Sequence, residues 1–548
     1  MREGVAMVLK KIEKLELQGR KLEKDGKFKK AIEKYHKAIE IIDKHIALYP
    51  TERLRKALLY ARIGYCYKNL NIASKMISAF QKAAKEAEEN AVDDPNIFEQ
   101  SIIYHILSGA PKDVVKQLLE RVLELYQNEN NIEKTVDILL RLEKVTDAIT
   151  LLIDVEKIFE ESGDYKNAAK YLNMIAECYI FMEDYVSAAE SYEKMYEILT
   201  KSGEKEYRTL EQVCKNANKC YLQADMNEKA KFVSLNAIML YKEEMEDWLA
   251  KNRIIPGAKA IMNIAKAYKD LNHEHKYEEL WQKGIDLYIQ ALNEEKDLYK
   301  KSLLSFTIAK HYENKEKADD ALNYHETGFE FYFKAIKRMK TEEIDLNELC
   351  RIIEYLDKLK EKKRKKVKKK VEGILARVWK NLQKTKSFDS KFADDVCKLA
   401  DCLELLGRRN DAKELYIFGA GIYEKLIYDG DISYLCDSAN LAAMDAVLAR
   451  HLTQAIMNYL SGRYYTGELL NKLGRLLALS EKFPFHIRHL KFLDILRSII
   501  VAIRLKDKEQ IKNVKKILDS PIGDLIEVSK TEMNRLNMLL NVLLTELQ

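Results

Sequence analysis

Apolar residues recur along this chain three and four apart, in runs of about 17–20 residues separated by short polar turns. This is the spacing of amphipathic helices packed on one face. A signature marks several turns. Gly26-Lys-Phe28-Lys-Lys-Ala31 is followed by Tyr35 and Ala38. Gly163-Asp-Tyr165-Lys-Asn-Ala168 repeats it, and Asp184-Tyr185-Val-Ser-Ala188, followed by Tyr192, repeats it without the glycine. The small residue ends one helix, the aromatic seats the next, and the alanine lets two helices approach. Self-similar units of this kind build a solenoid of helical hairpins.

Tyr179, Tyr221, Tyr268, Tyr312, Tyr355 and Cys402 recur every 42–47 residues. A tetratricopeptide unit has about 34, so longer helices of roughly 18–20 residues, about 30 Å each, are expected. Turns are expected at Asn128–Asn131, Lys201–Gly203, Asn314–Glu316, Gly407–Asn410 and Tyr428–Asp431. Breaks are also expected at Asp93-Asp94-Pro95 and Ser108–Pro111. The predicted fold is all-α: a right-handed solenoid of tetratricopeptide-like hairpins over residues 1–449, capped by a helical bundle over 450–548.

Composition sharpens this. With 6 Pro and 19 Gly in 548 residues, and 33% charged, the chain has too few breakers for a β-rich fold. A formal charge of +6 from 93 basic and 87 acidic residues points to no particular partner. Cys66, Cys178 and Cys220 precede Tyr67, Tyr179 and Tyr221 at equivalent positions. With the other five scattered cysteines, they suggest small buried residues rather than a disulfide frame or zinc site. The best apolar run, Phe492 to Leu505, is interrupted by Asp494, Arg497 and Arg504, and the N-terminal segment has no signal-peptide core. The expectation is a soluble, cytoplasmic protein.

Chemistry is sparse. No phosphate loop and no nucleophile elbow is present. Gly419-Ala-Gly421 lies in a helical pattern and suggests a close helix contact. His273-Glu-His275 is expected in a polar loop without a third metal ligand. No cofactor, metal or catalytic residue is expected, and hence no enzyme.

One charge run stands out. Between Lys358 and Lys370 the chain reads KLKEKKRKKVKKK, and Val367, Val371, Ile374, Leu375 and Val378 then form an apolar stripe. An amphipathic helix with a strongly basic exposed side is predicted. Its Lys362, Lys363, Arg364, Lys365, Lys366, Lys368, Lys369 and Lys370 either form a solvated face or meet an anionic partner: acidic helices, an anionic membrane surface or nucleic acid. The run contains no aromatic residue, the first being Trp379, which disfavours single-stranded nucleic acid.

Residues 156–199, EKIFEESGDYKNAAKYLNMIAECYIFMEDYVSAAESYEKMYEIL, resemble the middle of the SNAP adaptors, the soluble attachment proteins that carry a AAA+ ATPase onto SNARE complexes. Phe483-Pro484-Phe485, Arg488, Leu490–Leu493, Ala502, Lys508–Gln510, Val514–Ser520 and Met538–Leu540 are similar, in order, to that family's helical cap. The chain ends Glu546-Leu547-Gln548, as SNAP proteins end with an acidic residue and a penultimate leucine that engages the ATPase. The resemblance implies an adaptor for vesicle trafficking. It would bind a coiled-coil, SNARE-like complex and recruit a AAA+ ATPase through Glu546 and Leu547, with peripheral membrane contact through the basic run. The residues alone leave open a general tetratricopeptide-like scaffold that holds a peptide in its groove, or a nucleic-acid-binding helical-repeat regulator.

Overall fold

The computed structural model describes residues 2–45, 52–91, 94–203, 207–385, 388–437, 440–463, 465–526 and 529–546. It is all-helical, and no strand occurs among the described residues. Successive helices pack against each other as antiparallel hairpins. Most repeat helices run 17–24 residues, as in Tyr165–Phe181, Tyr207–Gln223, Asn227–Ala250, Ile254–Asp270 and Glu274–Glu294, while Pro95–Leu107 has 13 and Ile132–Arg141 has 10.

The turn signature has a definite geometry. At Gly163, φ is +77°, the Gly163 N–H donates to the Glu160 carbonyl, and the Asp164 N–H reaches back to Phe159 at 2.9 Å. This closes a Schellman motif. The Asp164 carboxylate then caps the next helix by accepting from the Asn167 N–H at 3.2 Å. The copy without glycine does the same, with Glu183 at φ +61° and Asp184 accepting from the Ser187 N–H. Ala168 and Ala188 are fully buried, and Tyr165 and Tyr185 half-buried, as the signature requires.

Close helix contacts fall at glycines that no motif marks. A Cβ on Gly64 would meet the Phe80 ring at 2.9 Å, and one on Gly328 would meet Phe306 at 2.8 Å. Gly421 has open space around its Cα. Two other expectations differ. Tyr428–Asp431 is no turn: Leu426–Asp431 forms wide π-helical turns that join Arg409–Lys425 directly to Ile432–Asp437. His273 stands just before the helix Glu274–Glu294, at its N-cap position and without a side-chain capping bond, so only the first histidine of His273-Glu-His275 lies outside it.

Two compact units are formed. The first comprises residues 1–148, 419–511 and 545–548, and the second residues 149–418 and 512–544. Each joins early hairpins to a later segment that docks on the first helices of those hairpins. In the first unit this segment is Ile432–Asp437, Leu441–Met444 and Arg450–Ser461, whose residues from His451 to Ser461 are all buried. Its polar anchors come from four successive first helices. Arg20 and Arg62 bind Asp437, and the Tyr104 hydroxyl donates to the Cys436 carbonyl. Glu99 accepts from the Leu441 N–H, and Arg141 pairs with Asp445 at 2.6 Å.

The second unit repeats the arrangement. Pro521–Leu525 packs on Tyr165–Phe181 and Tyr207–Gln223, where Lys219 pairs with Asp524 at 2.5 Å. A Cβ on Gly523 would strike the Leu518 carbonyl, so only glycine fits there. Further on, the buried Arg535 grips both oxygens of the buried Asp401 at 2.7 Å, and Asp401 also accepts from the Tyr416 hydroxyl.

Cys66, Cys178 and Cys220 are buried thiols, as expected. Cys350 and Cys402 instead form a disulfide that joins the helices Leu346–Ile353 and Ser390–Leu405. Their 52-residue separation carries no local pattern that would announce the pairing.

Candidate partner-binding surface

The basic run forms the first half of the helix Glu361–Leu382. Val371, Ile374, Leu375 and Val378 are buried against a core that includes Phe306, Phe329, Leu349 and Leu399, with Val367 half-buried beside them. Burial of that stripe holds the helix in place, because local preference works against it. Cations crowd the positive end of the helix dipole, and Lys362, Lys366 and Lys370 stand four apart, as do Lys365 and Lys369. Each such like-charged pair costs a few tenths of a kcal/mol.

Neighbouring acids answer only part of this charge. Lys363 pairs with Glu326, Arg364 with Asp357 at 3.4 Å and Lys365 with Glu361 at 2.7 Å. The Lys370 ammonium lies 4.8 Å above the Phe333 ring. Lys362, Lys366 and Lys369 are exposed and Lys368 half-exposed, and none of the four has an acidic partner among the described residues. The structure therefore brings the eight predicted cations onto one helix and leaves four unpaired.

The same helix walls a feature that the sequence reading did not single out. Leu375, Trp379, Leu399, Leu403 and Leu415 line a groove of about 300 Å³, with Glu372, Arg408, Asp411 and Glu414 among its polar lining. Nearby in sequence, Phe388 is 55% and Phe418 41% exposed, and both rings pack edge-on against Phe392. Trp379 was the available signal, an aromatic that breaks the polar face just after the lysines.

The other predicted site is reached only in part. Glu546 ends the helix Lys530–Glu546 and is exposed. Leu547 lies outside the described residues. Among the described residues, no group of three or more His, Cys, Asp and Glu side chains is placed to hold a metal ion, and no helix is long and apolar enough to cross a membrane.

No protein-family model matches the chain, and no curated protein matches it. Among solved structures, the chain aligns with a Naa15/Naa10 complex bound to HypK-THB over 97% of its length and 96% of that chain, at 13% identity and a TM-score of 0.32. Yeast Tom70 aligns over 98% and 96%, at 14% identity and a TM-score of 0.30. The apo form of RapI aligns over 77% and 98%, at 12% identity and a TM-score of 0.24. Likeness at that level carries no argument about what this chain binds, which rests on its own residues.

Proposed function

We propose that this chain is a helical-repeat scaffold that binds the acidic surface of a protein partner through the helix Glu361–Leu382. One observation carries the reading: four cations without acidic partners crowd the first half of this helix, held there by a buried stripe. Glu361 is the one acid of its first turn, and the like-charged lysines four apart weaken the helix, so the charge is retained at a cost. The groove beside Trp379 offers an apolar anchor on the same helix. An acidic amphipathic helix matches both features: carboxylates along the lysines, and apolar side chains in the groove. The faces of several first helices, where a repeat protein would hold a peptide, carry the chain's own later segments, in the second unit those of Tyr165–Phe181 and Tyr207–Gln223. This favours recognition elsewhere on the surface.

The narrower form of the reading is a SNAP-like adaptor. The partner would be a coiled-coil, SNARE-like bundle, and Glu546 with Leu547 would recruit a AAA+ ATPase. Residues 156–199 and 483–510 support it by resemblance, and the exposed position of Glu546 suits it.

The test starts from partners captured from native lysate with the full chain, followed by titration of the purified partner. Lys362→Glu with Lys369→Glu should weaken binding at least about tenfold, and wild-type binding should fall steeply with salt. Binding indifferent to both would overturn the reading. Binding only to anionic vesicles or nucleic acid would replace the protein partner with those surfaces. For the narrower form, the captured ATPase should be stimulated by the wild type and not by Leu547→Ala. Equal stimulation removes that role from Leu547.

A further inference from the structure

A second concentration of charge lies in the first unit, away from the basic helix. The helix Arg2–Lys24 turns Leu17, Arg20, Lys21 and Lys24, three and four apart, toward a cleft of about 380 Å³. Glu23, Arg62, Tyr65 and Ser433 complete its lining. The volume lies within the usual range for small-molecule sites.

The cations of this cleft are unequally answered. Arg20 divides its guanidinium between Glu16 at 2.9 Å and Asp437 at 2.8 Å. Arg62 is 6% exposed. It donates to the Ser433 hydroxyl at 2.9 Å and to Asp437 at 3.1 Å, and lies 3.6 Å from Glu23. Its Nε is buried and has no hydrogen-bond partner. Lys21 and Lys24 are exposed and have no acidic partner among the described residues. Burial pushes the Glu23 carboxyl above the usual carboxylate range, and Glu23 accepts from the Tyr35 hydroxyl at 2.8 Å. Four cations thus face three carboxylates, Glu16, Asp437 and Glu23.

We propose that this cleft binds a small phosphate monoester. Two free ammonium groups and the two hydroxyls at the wall call for a dianion with three acceptor oxygens. A phosphate monoester supplies both near neutral pH, whereas a carboxylate supplies one charge and two oxygens. The hydroxyls are those of Ser433 and Tyr65, and Leu17 gives an apolar side for the rest of the ligand. Because Ser433 belongs to the docked segment Ile432–Asp437, such a ligand would touch both the first helices and the segment seated on them. It would thereby favour the docked arrangement.

The full chain is titrated by calorimetry with glycerol phosphate, inorganic phosphate and succinate, at constant ionic strength. Glycerol phosphate should bind saturably, at least about tenfold tighter than succinate, and raise the melting midpoint. Lys21→Ala with Lys24→Ala, both at exposed positions, should weaken that binding at least about tenfold. The charge-matched control Lys10→Ala with Lys14→Ala, on the same helix outside the cleft lining, should leave it unchanged. Inorganic phosphate binding as tightly as glycerol phosphate would place all recognition in the phosphate and remove the monoester from the proposal. Absence of saturable phosphate binding, equal affinity for succinate, or equal loss in the control would each overturn the site.

Discussion

At the scale of single residues, the turns explain why the signature survives without its glycine. Gly163 and Glu183 occupy the same left-handed position, at φ +77° and +61°, and both turns close the same backbone hydrogen bonds. A side chain there is strained. Gly163→Ala should therefore cost about 1 kcal/mol, and Glu183→Gly should gain about 0.5–1 kcal/mol, as read by urea denaturation. Opposite signs for the two changes would show that the turns are not equivalent. The turn positions were legible because Gly, Asn and Asp mark them. The glycines that receive a ring, Gly64 and Gly328, were not, because their partners lie 16 and 22 residues away on the other helix of a hairpin. Two histidines give a second prediction. Burial depresses both His311, which stacks on Tyr288, and His486, whose Nδ1 accepts from the Arg488 N–H, from 6.5 to about 4. Their folded pKa values lie below the unfolded ones. Their contribution is therefore complete above about pH 6.5 and is lost as pH falls toward 4. Denaturation midpoints should drop over that window, and His311→Gln should flatten the slope.

At the scale of elements, the basic helix shows how a buried stripe can override local preference. Periodicity located it, since Val371, Ile374, Leu375 and Val378 fall on one face, and all four are buried. What the sequence could not show is which lysines find acids, because Glu326 and Asp357 come from other elements. Replacing Lys362 and Lys369 by Glu puts a second acid beside Glu361 in the first turn, four residues before Lys366, and another four residues after Lys365. That double change should raise stability by roughly 0.5–1 kcal/mol, while the proposed partner binding falls. Lower stability would mean that the lysines serve the fold, and the argument from retained cost would fail. The segment from Tyr428 to Asp431 was misleading for a related reason. Asp-Gly normally signals a turn, yet Asp431 is buried, where its carboxylate meets His451 Nδ1 at 2.9 Å. The wide helical turn carries Asp431 inward to meet that partner.

At the scale of the whole molecule, hairpin order was readable and closure of the units was not. Repeats announce themselves by period, but docking of residues 432–461 and 521–535 rests on pairs hundreds of positions apart, such as Arg141 with Asp445 and Lys219 with Asp524. The chain therefore runs from the first unit to the second, back to the first, and again to the second before its last residues rejoin the first. Neither unit is a contiguous stretch. The division at 449 suggested by the repeats makes a sharp prediction on this point. A fragment of residues 1–449 keeps every early hairpin, yet loses the buried helix Arg450–Ser461 and the Arg535 that neutralises Asp401. It should expose apolar surface, bind a hydrophobic dye and lack a cooperative transition. In the full chain, Arg535→Ala alone leaves the Asp401 carboxylate buried without its cation and should cost roughly 3–5 kcal/mol. Replacing both Asp401 and Arg535 by Leu should recover most of that loss, because no charge then remains to be desolvated. A compact, cooperatively melting 1–449 fragment would show instead that the later segments are appended to a solenoid that stands without them. The anchors on its first helices would then be incidental to its stability.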